Sequence, residues 1–134
     1  MNSEKENKSF IFNAKIDVQC INDLYGDDYL YIEEVFVTVL TEYKLLAENI
    51  NSGFASQDIP ALKSAVHKIK PIFGFVGLPD IQQQCQEFED LCQDPGPFDL
   101  LANDFNELND NLTKSKSLLE EERRKLELFN RQRA

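Results

Sequence analysis

The sequence is most informative where it is poor. It has one histidine, His67, three cysteines and no tryptophan in 134 residues. One histidine and three scattered cysteines cannot build a zinc site, and an odd cysteine count without regular spacing makes no disulfide framework. Cys85 and Cys92 fall in an apolar stripe, which suits buried thiols in a reducing cytoplasm. No apolar run approaches membrane-spanning length, and the first residues have no hydrophobic leader, so the expectation is a cytoplasmic protein without a membrane partner. Basic residues are also scarce. Fourteen Lys and Arg against 24 Asp and Glu leave a net charge of −10, which argues against nucleic acid or an anionic membrane as partner. Phosphate-binding glycine loops are missing too, so nothing in the chain reads as a site for ATP. Glu-x-x-His pairs, which a di-metal carboxylate bundle needs, do not occur.

What is present is helical periodicity. Tyr29, Ile32, Phe36, Val39, Tyr43, Leu46 and Ile50 alternate in threes and fours and predict a long amphipathic helix, opened by Asp27 or Asp28 and ended at Asn51-Ser52-Gly53. Leu62, Val66, Ile69, Phe73 and Val76 predict a second, capped by Asp58 and closed by Gly77. Leu78, Ile81, Cys85, Phe88 and Cys92 predict a third, opened by Pro79. After the break at Asp94-Pro95-Gly96-Pro97, a fourth carries Leu101, Phe105, Leu108 and Leu112, and reaches Leu119, Leu126 and Phe129 with weaker patterning. Its charged tail, residues 120–133, is expected to project beyond the bundle. Phe10 to Leu24 reads as a short helix over one end. The expected fold is all-α, an antiparallel up-down four-helix bundle. Residues 1–9 are expected to form a flexible tail, and residues 10–134 one domain that is monomeric.

The second helix also carries the chemistry. At about 100° per residue, His67 lies roughly 140° from the centre of its apolar stripe and should face outward. Lys63 and Lys70 flank it at i−4 and i+3, and Gly74 leaves little side chain beyond it. Residues 59–79 hold three lysines and no acid, a basic island in an acidic chain that would suit an anionic group. Each feature has a plain alternative: a lone helical histidine is usually incidental, and surface lysines are usually just solvated.

The joint spacing resembles the histidine-containing phosphotransfer (HPt) family: His67 with Lys70 three residues on, Gly77 ten residues on, then a helix ending Cys85, Phe88 and Glu89. The resemblance implies a carrier that takes a phosphoryl group on His67 and exchanges it with aspartates of response-regulator receiver domains or of a hybrid sensor histidine kinase. It implies no enzyme and no cofactor of its own, the receiver supplying Mg²⁺. Lys70, with a weaker contribution from Lys63 or Lys68, would stabilise the phosphoryl group. Glu89 would orient the imidazole, and Gly74, Pro71, Phe75 and Gly77 would give clearance or contact for the docking partner. Pro71 departs from the family glycine. It cannot donate to the carbonyl of His67, so a bend or widening is expected beneath the acceptor. The alternative is a helical interaction module that binds a receiver or another helix without transferring phosphate. A sensor-kinase dimerisation domain would want an acidic residue after the histidine, where Lys68 stands.

Overall fold

A computed structural model describes residues 9–133, and among them every regular element is helical. The elements are α1 (Val18–Tyr25), α2 (Tyr29–Ala55), α3 (Ile59–Phe75), α4 (Pro79–Gln93) and α5 (Phe98–Arg133). The expectation for residues 1–8 of the tail, and for Ala134, lies outside the described residues. No helix among those described is long and apolar enough to cross a membrane.

Local sequence accounts for the helix starts. Asp17, Asp28 and Asp58 each accept a hydrogen bond from a backbone N–H three residues on, at Cys20, Tyr31 and Ala61. Pro60 and Pro79 sit in first turns, where an absent N–H leaves nothing unmatched. Connections of a few residues then turn the chain back on itself. Facing pairs establish the antiparallel order: Phe54 stacks on Phe105 while Tyr29 meets Phe129, across α2 and α5. Gln84 with Asn111, and Phe88 with Phe105, do the same for α4 and α5. Helices α2, α3, α4 and α5 therefore close a ring, each packed on its sequence neighbour and α5 on α2. The bundle expectation holds, and the predicted stripes form its core, Leu62, Val66, Ile69, Phe73 and Val76 all being buried.

Three details bear on the sequence reading. First, α2 does not stop at Gly53 but runs to Ala55, and Gln57 takes the left-handed turn at φ 55°. Gly53 is there for close approach: a Cβ would lie 3.0 Å from the Leu62 Cα, where α2 meets α3. Second, α3 continues past Pro71 to Phe75, with Pro71 itself exposed, so the missing N–H does not end the helix.

Third, the charged end of α5 does not project. At 1.5 Å per residue α5 is about 54 Å long against about 26 Å for α3, so α3 and α4 flank only part of it. The start of α2 and the segment before α1 cover the rest. Phe10 packs edge-on against Phe129, the Phe12 ring lies tilted against Phe36, and the Asn13 N–H donates to Glu122 Oε1 at 2.7 Å. Leu119, Glu122 and Leu126 are consequently fully buried. Residues 9–17 form this non-helical strap, so the end-covering helix among the described residues is only Val18–Tyr25.

Candidate functional site

His67 stands midway along α3 with its side chain 66% exposed, while Glu89 on α4 is 8% exposed. The two meet because α3 and α4 are antiparallel neighbours. His67 Nδ1 lies 2.7 Å from Glu89 Oε1. An ionised carboxylate can only accept, so Nδ1 carries the proton and Nε2 holds the free lone pair. Among the described residues Nδ1 is the ring nitrogen with a protein partner. The imidazole is thus aimed by its buried side and open on the other.

The register brings Lys70 to the same carboxylate. Its Nζ is 2.8 Å from Glu89 Oε2, an ion pair off the ideal hydrogen-bond angle, and the Lys70 side chain is only 18% exposed. Lys70 Nζ also donates to Gln86 Oε1, and Gln86 Nε2 donates to Asp90 Oδ1 at 3.0 Å. One carboxylate therefore serves both the imidazole and the nearest cation. Lys63, one turn before His67, is half-buried and makes no ion pair among the described residues; its charge is felt by the Cys92 thiol at the far end of α4. Lys68 is exposed.

The other sequence-named positions separate into two groups. Pro71 and Phe75 are exposed, Phe75 to 49%, on the side of α3 that carries His67. Gly74 is half-covered: a Cβ there would lie 2.9 Å from the Gln82 amide, which leans over it from α4. Gly77 is not on this face. It is buried with φ 74°, and a Cβ would lie 2.9 Å from Ile16 Cγ2 and 3.0 Å from the Asp17 carbonyl. Its own carbonyl accepts from the Asp17 N–H at 2.8 Å, and the Leu78 N–H closes the helix on the Phe73 carbonyl. Gly77 is thus a fastening of α1 to α3 rather than a docking contact, because L side chains rarely adopt that φ and no room exists for one. Helix α1 completes the end of α3 by donating Tyr25 Oη–H to the Phe75 carbonyl at 2.7 Å and Cys20 Sγ–H to that of Gly74.

Sequence reasoning overlooked Gln86, Asp90 and the lean of Gln82. The first was recoverable. Once position 67 faces 89 in an antiparallel pair, 70 must face 86, and 90 lies one turn from 86. Below the site, burial pushes the Cys85 thiol up to about 12, with the Glu89 charge adding to the rise and Lys70 opposing it. No group of three potential ligands that could hold a metal ion occurs among the described residues.

Comparison with known proteins agrees with this geometry. The chain belongs to the Hpt domain family, whose sequence model matches residues 34–123. That makes it a histidine phosphotransfer module of two-component signalling, a phosphocarrier rather than a kinase. The fold is that of the HPT domain from a sensor hybrid histidine kinase of Shewanella. The match has a TM-score of 0.66 at 24% identity, over 82% of this chain and 91% of that one. A comparison with curated protein sequences gives no match. The strap, α1 and the last turns of α5 lie outside the matched residues.

Proposed function

We propose that His67 is the phosphoacceptor, and that the protein relays a phosphoryl group between His67 and the aspartates of receiver domains, free-standing or within a hybrid sensor kinase. The observation that carries this is the pairing of Nδ1 with buried Glu89, which leaves Nε2 as the nucleophile on an exposed ring. The Nε2 lone pair attacks the phosphorus of an aspartyl phosphate. The N–P bond forms as the P–O bond breaks, and the aspartate leaves as carboxylate. The Nδ1 proton stays in place, and the positive charge the ring acquires is met by Glu89. Phosphoryl transfer through a loose transition state asks the acceptor for little beyond position and charge neutralisation. Lys70 supplies a neighbouring cation, and the receiver brings Mg²⁺.

Phe75, Pro71 and the Gly74 surface under Gln82 offer the docking partner an uncharged approach beside the acceptor. Net charge argues against nucleic acid in this reading, and the unpaired thiols Cys20, Cys85 and Cys92 suit a protein working in the reducing cytoplasm. The test is transfer from a phosphorylated receiver, with His67→Gln beside the native chain. The native protein gains an acid-labile, base-stable phosphoryl group and the variant gains none. Binding of receivers without transfer would instead establish an interaction module that uses the same face.

A further inference from the structure

Lys70 poses a difficulty for the mechanism as it stands. The cation nearest His67 is already spoken for: Glu89 Oε2 sits 2.8 Å from its Nζ, and Gln86 Oε1 accepts from it as well. Both anchors belong to α4, and Gln86 is itself held by Asp90. In the resting protein the Lys70 charge is therefore balanced on the α4 side, away from the open Nε2 of the ring.

Charge accounting suggests how it is released. Before transfer, Glu89 has two partners, a neutral imidazole through Nδ1–H and the Lys70 ammonium. After transfer the ring bears a phosphoryl group on Nε2 and a proton on Nδ1, so it is cationic. Glu89 then has a full counter-charge in His67 and no longer depends on Lys70. The phosphoryl oxygens, which carry about two negative charges, compete for the ammonium at the same moment. One pair of charges is replaced by two, and the second phosphoryl charge is left to solvent on the exposed side of the ring.

We propose that Lys70 exchanges partners during transfer, from Glu89 and Gln86 to the phosphoryl group, and that Gln86 is the positioning residue that sets how readily it lets go. This rests on His67 being the phosphoacceptor. The hydrogen-bond partners of Gln86 are Lys70 and Asp90, not the ring, so in this proposal it acts through Lys70. Its amide is a neutral, moderate anchor. A carboxylate there would hold the ammonium harder, and a methyl group would not hold it at all.

The test compares Gln86→Ala and Gln86→Glu, each with Lys70 native and with Lys70→Ala. Two quantities are read: hydrogen exchange of the Lys70 ammonium by NMR in the unphosphorylated protein, and the rate of phosphoryl transfer from a phosphorylated receiver. Ammonium exchange is expected to quicken in Gln86→Ala and slow in Gln86→Glu. Transfer is expected to rise about threefold in Gln86→Ala and fall about tenfold in Gln86→Glu, since an ammonium is held by an amide oxygen in the native protein and would be held by a carboxylate in the second variant. Both rate effects should vanish in the Lys70→Ala background. A merely structural role for Gln86 would move both variants in one direction and persist without Lys70, and either result overturns the proposal. Unchanged ammonium exchange overturns it as well, even where transfer to His67 proceeds normally. Failure of His67 to take phosphate from any donor, phosphoramidate included, overturns the carrier reading and the exchange of partners with it. Ammonium exchange still reports the resting tether in that case.

Discussion

Among the described residues two carboxylates are buried, Glu89 on α4 and Glu122 on α5, and they are built alike. Each gives Oε1 to an N–H at 2.7 Å and Oε2 to a lysine on a helix turn nearby, Lys70 at 2.8 Å and Lys125 at 2.6 Å. They differ in what the N–H belongs to. For Glu89 it is an exposed imidazole, free on its other side to react. For Glu122 it is the backbone of Asn13, and the bond fastens the N-terminal strap over α5. The same arrangement of charges thus orients a nucleophile in one place and closes the fold in another. Burial of an ionisable group is therefore not in itself a mark of chemistry; an accessible reactive atom on the far side of its partner is.

Breaking each carboxylate in turn should separate the two roles. Glu89→Ala leaves Nδ1 without its acceptor and Lys70 without its counter-ion. Phosphoryl transfer should fall about 100-fold, with His67 NMR shifts reporting a mixture of ring tautomers. Glu122→Ala leaves the Asn13 N–H unmatched in the interior. Urea denaturation should show a loss of about 3 kcal/mol, protease cleavage should concentrate before Val18, and transfer by the folded protein should stay near native. If Glu122→Ala damaged transfer as severely as Glu89→Ala, the contrast would collapse.

A smaller effect sharpens the comparison through the cysteines. Burial raises the Cys85 thiol to about 12 and Cys92 to about 11, from an ordinary 9.0, and the Glu89 charge contributes to both. A thiol raised in the folded state contributes stability that is intact below its unfolded value and is lost as pH rises through its folded one. Stability should therefore decline from about pH 9 upward, by about 1 kcal/mol per thiol at pH 10, in chemical denaturation at a pH series. Removing Glu89 should lessen that decline, and removing Glu122 should leave it unchanged.

The long helix α5 shows why its covering was hard to read. Buried positions 101, 105, 108, 112, 115, 119, 122, 126 and 129 keep one unbroken alternation of fours and threes. Two of them are Ser115 and Glu122, so the apolar pattern looks interrupted in the middle of a continuous core face. Ser115 resolves its polarity by donating to the Asn111 carbonyl within the helix, and Glu122 resolves its own by binding the strap. A periodicity counted in apolar residues cannot register a position whose polar group finds its partner 109 residues away. Gly53 misled in the opposite sense, since its lack of a side chain serves a neighbouring helix rather than a stop.

Sequence alone determined the four bundle helices, the Asp58 cap, the core stripe of α3 and the outward placement of His67, because these follow from interactions within a few residues and from a period of 3.6. The spacing of His67, Lys70 and Glu89 also pointed to the family. Only the tertiary structure decided that one buried carboxylate is shared by His67 and Lys70, that Gln86 and Asp90 extend the network, and that Gly77 lies beneath α1. Those facts depend on the register between packed helices and on a strap folded back over the bundle. Register is decided by how whole faces fit together, and no local pattern carries it.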